Sequence, residues 1–428
     1  MSEPSEVFSI KTHLGRFAVL RATSEQQARQ RLWATAGRLD DSDDQHTVEL
    51  NKSQLSMVYA QLLGKHLTAN NVVYLFNPEQ VAAASVDLAS LAQQLKRFHP
   101  LIACRVVQVQ GEYAFDLDPL PPATLLLTDV PTFQSLEDCV EHFLQQPLSL
   151  FKDDLFYLFK VRIGETLHLG ACLHHILGNH VGQFNVLRSV QQLAQQLPGT
   201  GQPADFSFVS NNLMLADEYE RQVDACSADW EAQSHRYTRL ARLPALPANA
   251  KALQLRAPLA VDSLALEGPQ RLAQLLQVYR QSCAAALGIQ AAIVNVLVDW
   301  ADSSVTSGFS TYTVPIALEP TDSHLQQQVA QLNTTLAQAL LGYEEILGAL
   351  QLYDFTPSFL FNLVALTSQD AAWLQRYIAN PVTEKPKTLL DLTLIKSALG
   401  HEVLLNSYLP AALAESFLAC FVAGVKQL

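Results

Sequence analysis

The chain has 428 residues, of which 49% are hydrophobic and only 16% charged, a composition that builds large buried cores and excludes a disordered protein. Its length suits two or three domains. The formal net charge of −13 and the lack of any Lys/Arg-rich run exclude nucleic acid as a partner. No apolar run reaches the roughly 18 residues of a membrane-spanning helix, and MSEPSEVFSIK at the N-terminus lacks a signal-peptide pattern. The six cysteines, Cys104, Cys139, Cys172, Cys226, Cys283 and Cys420, are scattered without a C-x-x-C pair. They read as reduced thiols of a cytoplasmic protein, not as a disulfide frame or a zinc site.

Residues 1–45 form a small β/α extension. A strand or hairpin over 8–22 turns at Gly15, Ser24 caps a helix to about residue 36, and the run Asp40-Asp41-Ser42-Asp43-Asp44 is a solvated acidic linker. A first lobe follows over 46–225. Its expected elements are an amphipathic helix over 51–63, a strand over 71–76, a helix over 86–98 with Leu88, Leu91, Ala92 and Leu95 at helical spacing, and a hairpin at 101–117 around Gly111. A helix over 135–144 leads into an apolar, strand-like run at 156–173, and a further helix is expected from 181 to about 197. Residues 198–250 are rich in Pro, Gly and Ala and hold one helix at about 211–232; the stretch 226–250 reads as the linker between lobes. The second lobe, 251–428, offers strands at 253–260, 311–318, 359–366, 388–396 and 402–408. Its helices are expected at 268–287, 290–300, 324–341 and 412–426. The similar order of elements predicts an internally duplicated α+β architecture, although no sequence repeat is visible.

Chemistry concentrates at Leu173-His174-His175-Ile176-Leu177-Gly178-Asn179-His180. Adjacent side chains on a strand point to opposite faces, so one histidine can be buried while its neighbour faces a cleft. Imidazole titrates near neutral pH, which makes the cleft-facing ring a natural general base. His66, His99, His168 and His401 are scattered without metal-ligand spacing, so no metal site is expected.

Six segments, in order, resemble motifs of nonribosomal peptide synthetase condensation domains. Lys96-Arg97-Phe98-His99-Pro100-Leu101-Ile102 resembles their R-H-P-x-L-R turn, and His174-His175-x-x-x-Asn179-His180 their H-H-x-x-x-D-G core. The segment 308–315, Gly-Phe-Ser-Thr-Tyr-Thr-Val-Pro, looks like G-F-F-V-N-T-L-P, and 342–350 is similar to P-F-E-K-L-V-x-x-L. Residues 357–362 resemble P-L-F-Q-V-x-F-N, and Asp391-Leu392-Thr393-Leu394 matches F-D-L-T-L. The likeness runs from about residue 48 to the C-terminus.

The resemblance implies two chloramphenicol-acetyltransferase-like lobes in a V-shaped pseudo-dimer, with a central tunnel and the histidines at its midpoint. It implies that His175 takes or orients the proton of the acceptor nucleophile, that His174 is structural, and that Asn179 and His180 stand where the family has Asp and Gly. Gly178, Tyr312, Asn362 and Asp391 are expected along the substrate tunnel. In the family the Asp pairs with an Arg from the second lobe, and the stretch that would hold this Arg, at 300–307, looks shortened. A buried carboxylate without that Arg would be costly, whereas a hydrogen-bonded amide is tolerated.

The implied activity is acyl transfer: a carrier-bound acyl or aminoacyl thioester is joined to an amine or hydroxyl, as in nonribosomal peptide, antibiotic and other secondary-metabolite biosynthesis. No cofactor is expected to be bound; the phosphopantetheine thioester comes on an acyl or peptidyl carrier protein. A small-molecule acceptor, no membrane contact and a monomeric, free-standing chain complete the expectation. Two alternatives are a condensation-like docking or recruitment module that has lost chemistry, and a coenzyme A-dependent acyltransferase.

Overall fold

The structure, a computed structural model, describes residues 6–11, 17–22, 47–62, 68, 70–109, 111–116, 130–151, 155–196, 205, 207–240, 247–248, 251–259, 269–299, 308–320, 330, 333–335, 340–353, 355–380, 386–397 and 399–428. The chain divides into two compact units. The first takes the chain up to Arg221 and two short returns from later in the sequence, of which 308–310 and 377–380 are described; the second takes the remainder. The helix expected at 24–36 and the crossover at 300–307 lie outside the described residues, as does most of the helix expected at 324–341.

The first unit opens with an antiparallel pair, β1 (Glu6–Lys11) and β2 (Phe17–Ala22). β3 (Thr47–Glu49) leads into α1 (Lys52–Leu62). Asn51 and Gln54 start this helix by reciprocal capping: the Asn51 side chain accepts from the Gln54 N–H, and the Gln54 side chain accepts from the Asn51 N–H. After β4 (Asn71–Leu75), α2 (Leu88–Phe98) is capped by Asp87 and buries Leu91, Ala92 and Leu95. The expected hairpin forms as β5 (Arg105–Val109) and β6 (Glu112–Asp116), after a 3-10 turn at Pro100–Ala103. β7 (Thr132–Phe133) precedes α3 (Leu136–Leu144), which Ser135 caps.

The run at 156–173 is two strands, not one. β8 (Phe156–Ile163) turns at Gly164, whose φ is +57°, and returns as β9 (Thr166–His174). Gly170 lies opposite Phe159; a Cβ there would sit 2.2 Å from the Phe159 ring, so only glycine fits. That ring stacks on Phe143 of α3 at 3.8 Å, in a core with Val73, Leu75, Cys139, Tyr157 and Val161. α4 (His180–Ala194) follows, then α5 (Ser207–Leu240), in which the division between units falls. The stretch 226–250, expected as a linker, thus begins as the second half of a long helix, held by buried Trp230 and Tyr237.

The second unit holds β10 (Leu253–Leu259), α6 (Pro269–Leu287), β11 (Ala292–Asp299), β12 (Thr311–Leu318), α7 (Tyr343–Ala349), β13 (Phe359–Leu366), α8 (Ser368–Tyr377), β14 (Leu390–Ser397), β15 (His401–Ser407) and α9 (Ala411–Val425). Residues 290–300, expected as a helix, are mostly strand β11. Ile293, Val294, Val296 and Val298 are β-branched, and a short apolar run buried on both faces has no diagnostic period. Tyr279 of α6 packs edge-on against Phe359, Phe361, Phe417 and Phe421, which ties α6, α9 and the sheet together.

The two units repeat one topology. The first carries a sheet of order β4-β9-β8-β7, with β7 parallel to β8 and the other pairs antiparallel. The second carries β10-β15-β14-β13 with the same parallel and antiparallel pairing, extended by β11 and β12. In both, a helix joins the parallel strands and another follows the last hairpin. The hairpin β5-β6 stands apart in the first unit, in a three-stranded sheet with β3, whereas β11-β12 joins the main sheet of the second.

Candidate active site

The histidine pair closes β9. His174 is the last strand residue, 1% exposed; its N–H donates to the Leu155 carbonyl at 2.8 Å, and its Nδ1 accepts from the Ile176 N–H at 3.1 Å. His175 opens a 3-10 turn over His175–Leu177 and is only half-buried. Its N–H donates to the Asn70 carbonyl at 2.7 Å, which fixes where the side chain leaves the main chain. His174 thus ends the strand inside the core, while His175, the first residue past it, sits half-buried in the 3-10 turn and not on the strand.

Asn179 is the N-cap of α4. It has extended backbone angles, and its side-chain oxygen accepts from the Gly182 N–H at 3.1 Å, satisfying one of the helix's orphan donors. His180 is the first helical residue, its ring edge-on to Phe184 one turn along at 6.0 Å. Gly178 forms a parallel bridge with Gly308, and the Asn179 N–H donates to the Gly308 carbonyl at 3.3 Å. Gly308 has φ +96°, and a Cβ there would lie 2.8 Å from the Cβ of Phe208, so both backbone and space demand glycine.

Two groups of residues that sequence reasoning missed hold this turn. The first is a buried amide frame. Asn51 donates to the Phe309 carbonyl at 2.7 Å and to Asn212 at 2.9 Å, while Asn212 donates to the Glu49 carbonyl and to Gln54, each at 2.9 Å. The frame sets Phe309, whose ring meets His175 edge-on at 5.0 Å and 80°. The second is Gln183 of α4, buried behind the turn. Its side-chain nitrogen donates to the Gly178 carbonyl at 2.9 Å and lies 3.4 Å from His175 Nδ1, and its oxygen accepts from the Tyr74 hydroxyl at 2.7 Å. The available signal was a glutamine within the apolar stripe of α4, beside buried Val186, Leu187 and Val190.

The other expected site residues belong to the second unit. Tyr312 on β12 is opposite Val298, and Val296 of the same strand is paired with Phe361. Asp391 is paired with Leu360, two residues from Asn362. Cα partners share a face and alternate residues return to it, so Tyr312 lies on one face of the six-stranded sheet and Asn362 and Asp391 on the other. The three therefore cannot line one face together. Tyr312 is buried, and burial, with Glu345 nearby, pushes its phenol pKa up. Asp391 is buried and accepts from the Lys387 N–H, the Thr388 N–H and the Thr388 hydroxyl. Burial pushes its carboxyl up to about 6, against those hydrogen bonds and the Lys387 charge. Asn362 is half-buried. In the first resembling motif, His99 Nε2 lies 2.8 Å from the Ser189 hydroxyl, joining α2 to α4. Burial lowers the His99 pKa despite the Asp205 charge.

No family model matches the chain, and no curated protein matches it. Solved structures do. The condensation domain of the monacolin K polyketide synthase superposes with a TM-score of 0.62 at 15% identity, covering 89% of this chain and 97% of that one. The chain has the condensation-domain fold. The epimerization domain from the third module of tyrocidine synthetase B gives 0.61 at 16% identity, covering 90% of this chain and 97% of that one. A starter condensation domain of rhizomide synthetase, a double mutant in complex with C8-CoA and Leu-SNAC, gives 0.60 at 16%, covering 89% and 94%. Among the described residues, no helix of this condensation-type fold is long and apolar enough to cross a membrane.

Proposed function

We propose that the protein is a condensation-type acyltransferase. It joins an acyl or aminoacyl thioester, delivered on the phosphopantetheine arm of an acyl or peptidyl carrier protein, to an amine or hydroxyl acceptor. The observation that carries this reading is His175: a half-buried imidazole beside a fully buried one, at the end of the central hairpin of a condensation-type fold. The acceptor's nitrogen or oxygen bonds to the thioester carbonyl carbon, the C–S bond breaks, and the acceptor's proton passes to the departing thiolate, with His175 taking or orienting it. Holding both reactants in register removes much of the entropic barrier, and a positioned acid–base group adds typically about 10²–10⁴-fold. His174 and Asn179 serve structure in this scheme. Of the three expected tunnel residues in the second unit, half-buried Asn362 keeps that assignment, while Tyr312 and Asp391 are read as structural.

The Asn179-His180 pair, where the resembling motif has Asp-Gly, supports the recruitment reading as an alternative. The C8-CoA held by the rhizomide starter domain supports a coenzyme A thioester as an alternative donor. One assay separates the three. The protein is offered acyl-holo carrier proteins and acyl-CoA in single turnover, with amine and hydroxyl acceptors, and amide or ester is read by mass spectrometry. Product from carrier-bound donor, lost in His175→Ala at unchanged melting temperature, is the expected result. Product from acyl-CoA alone selects the second donor. Carrier binding without product from wild type selects recruitment, and full activity in His175→Ala removes His175 from the chemistry.

A further inference from the structure

We infer that Gln183 is a positioning residue that sets the tautomer of His175, holding the neutral ring with its proton on Nε2. The orientation of the Gln183 amide decides this. Its side chain is buried, 4% exposed, with one end at the Tyr74 hydroxyl and the other at the Gly178 carbonyl. A hydroxyl both donates and accepts, so Tyr74 tolerates either end of the amide. A carbonyl only accepts. Turned by half a rotation, the amide would place its own oxygen 2.9 Å from the Gly178 oxygen, two acceptors face to face in a buried site. The nitrogen therefore faces Gly178, and one of its hydrogens serves that carbonyl. The same nitrogen lies 3.4 Å from His175 Nδ1, so its second hydrogen points to a ring atom that must offer a lone pair. A neutral imidazole has one N–H, and it is then on Nε2.

The neighbouring ring is held alike by a different donor, since His174 Nδ1 accepts from the Ile176 N–H. Both histidines are thus Nε2–H tautomers, one fixed by main chain and one by a side chain that can be changed. The consequence for chemistry rests on the acyl-transfer reading; the tautomer does not. Through Nε2, resting His175 presents a donor, and its partner in a bound substrate is an oxygen with a lone pair: the thioester carbonyl or the oxygen of a hydroxyl acceptor. To take a proton at Nε2, the ring must first be protonated at Nδ1 and stripped at Nε2, which requires the Gln183 amide to swing off the ring.

The test is a long-range ¹H–¹⁵N correlation spectrum of the full chain labelled at histidine, recorded where the rings are neutral. His175 is assigned by its loss in His175→Ala. The expected pattern is a pyridine-type Nδ1 and a pyrrole-type Nε2. Gln183→Leu, which removes the donor facing Nδ1, should give an averaged mixture. Tyr74→Phe, which removes the brace but leaves the Gly178 contact, should keep the wild-type pattern. A wild-type His175 with its proton on Nδ1, or a pattern untouched in Gln183→Leu, overturns the inference, and the wild-type spectrum alone can do so if a variant does not fold. Because the spectrum needs no substrate, an inactive protein with the expected tautomer would count against acyl transfer only.

Discussion

The two units use the same strand layout and finish it differently. In the first, the His174 N–H closes the sheet by donating to the Leu155 carbonyl at 2.8 Å; in the second, the Tyr408 N–H donates to Leu389 at 3.0 Å from the corresponding place. Beyond that point the second unit needs one residue, Leu409, before Pro410 caps α9; Leu409 is fully buried, and its N–H donates to the Ser407 hydroxyl at 3.0 Å. The first unit inserts four residues, 175–178, between His174 and the cap Asn179. Where the second unit places a core leucine, the first places His175. The shorter connection is minimal and apolar, whereas the lengthened one leaves His175 half-buried and has polar groups behind it that hold its shape.

The comparison can be broken most sharply by exchanging the roles of its two key residues. His175→Ala should reduce acyl transfer by about 10²–10⁴-fold with little change in melting temperature, whereas Leu409→Ala should leave transfer intact and cost roughly 2–5 kcal/mol in denaturant titrations. Parallel losses of stability in both variants would mean that the turn at His175 is only another piece of core.

A second contrast lies in buried charge. The polar groups around the histidine turn, Asn51, Gln54, Gln183 and Asn212, are neutral amides, while the second unit buries the carboxyl of Asp391. Its folded pKa of about 6 lies above its ordinary 3.8, so its contribution to stability is full below 3.8 and is lost as pH rises through 6. The shift corresponds to roughly 3 kcal/mol. The stability of wild type relative to Asp391→Asn should fall by up to that amount from acid to neutral pH; a difference that stays flat would show that the hydrogen bonds from Lys387 and Thr388 balance burial, and one that rises that they outweigh it.

Smaller effects refine the turn itself. His174→Ala strands the Ile176 N–H in the core and should cost about 1–3 kcal/mol, without the loss of chemistry expected at its neighbour. Asn179→Ala should cost about 1 kcal/mol through the lost cap, and Asn179→Asp should not recover it, because residue 179 is buried and a carboxylate there loses its hydration. Melting curves of the three variants decide both points.

Local signals made much of this readable from the chain. The apolar stripe of α2 set its buried face, and the adjacent histidines at a strand end marked the turn. What stayed hidden depends on partners distant in sequence. Gln183 gains its meaning from Tyr74, 109 positions away, and Asn51 from Phe309, 258 positions away. The misread strand β11 failed for a different reason: its first five residues are buried whichever face they point to, and such a run carries neither the helical nor the alternating period.

The distant partners also impose an order on assembly at the ribosome. The β4 strand is sealed by Asn380, whose side chain accepts from the Leu75 N–H and donates to the Val73 carbonyl, and the histidine turn is sealed by Gly308 and Phe309. A nascent chain that has emerged only as far as Arg221 therefore has every histidine of the motif and none of these seals. Its first unit must wait, with open edges, until most of the remaining polypeptide has been synthesised, and closure of such long loops is intrinsically slow.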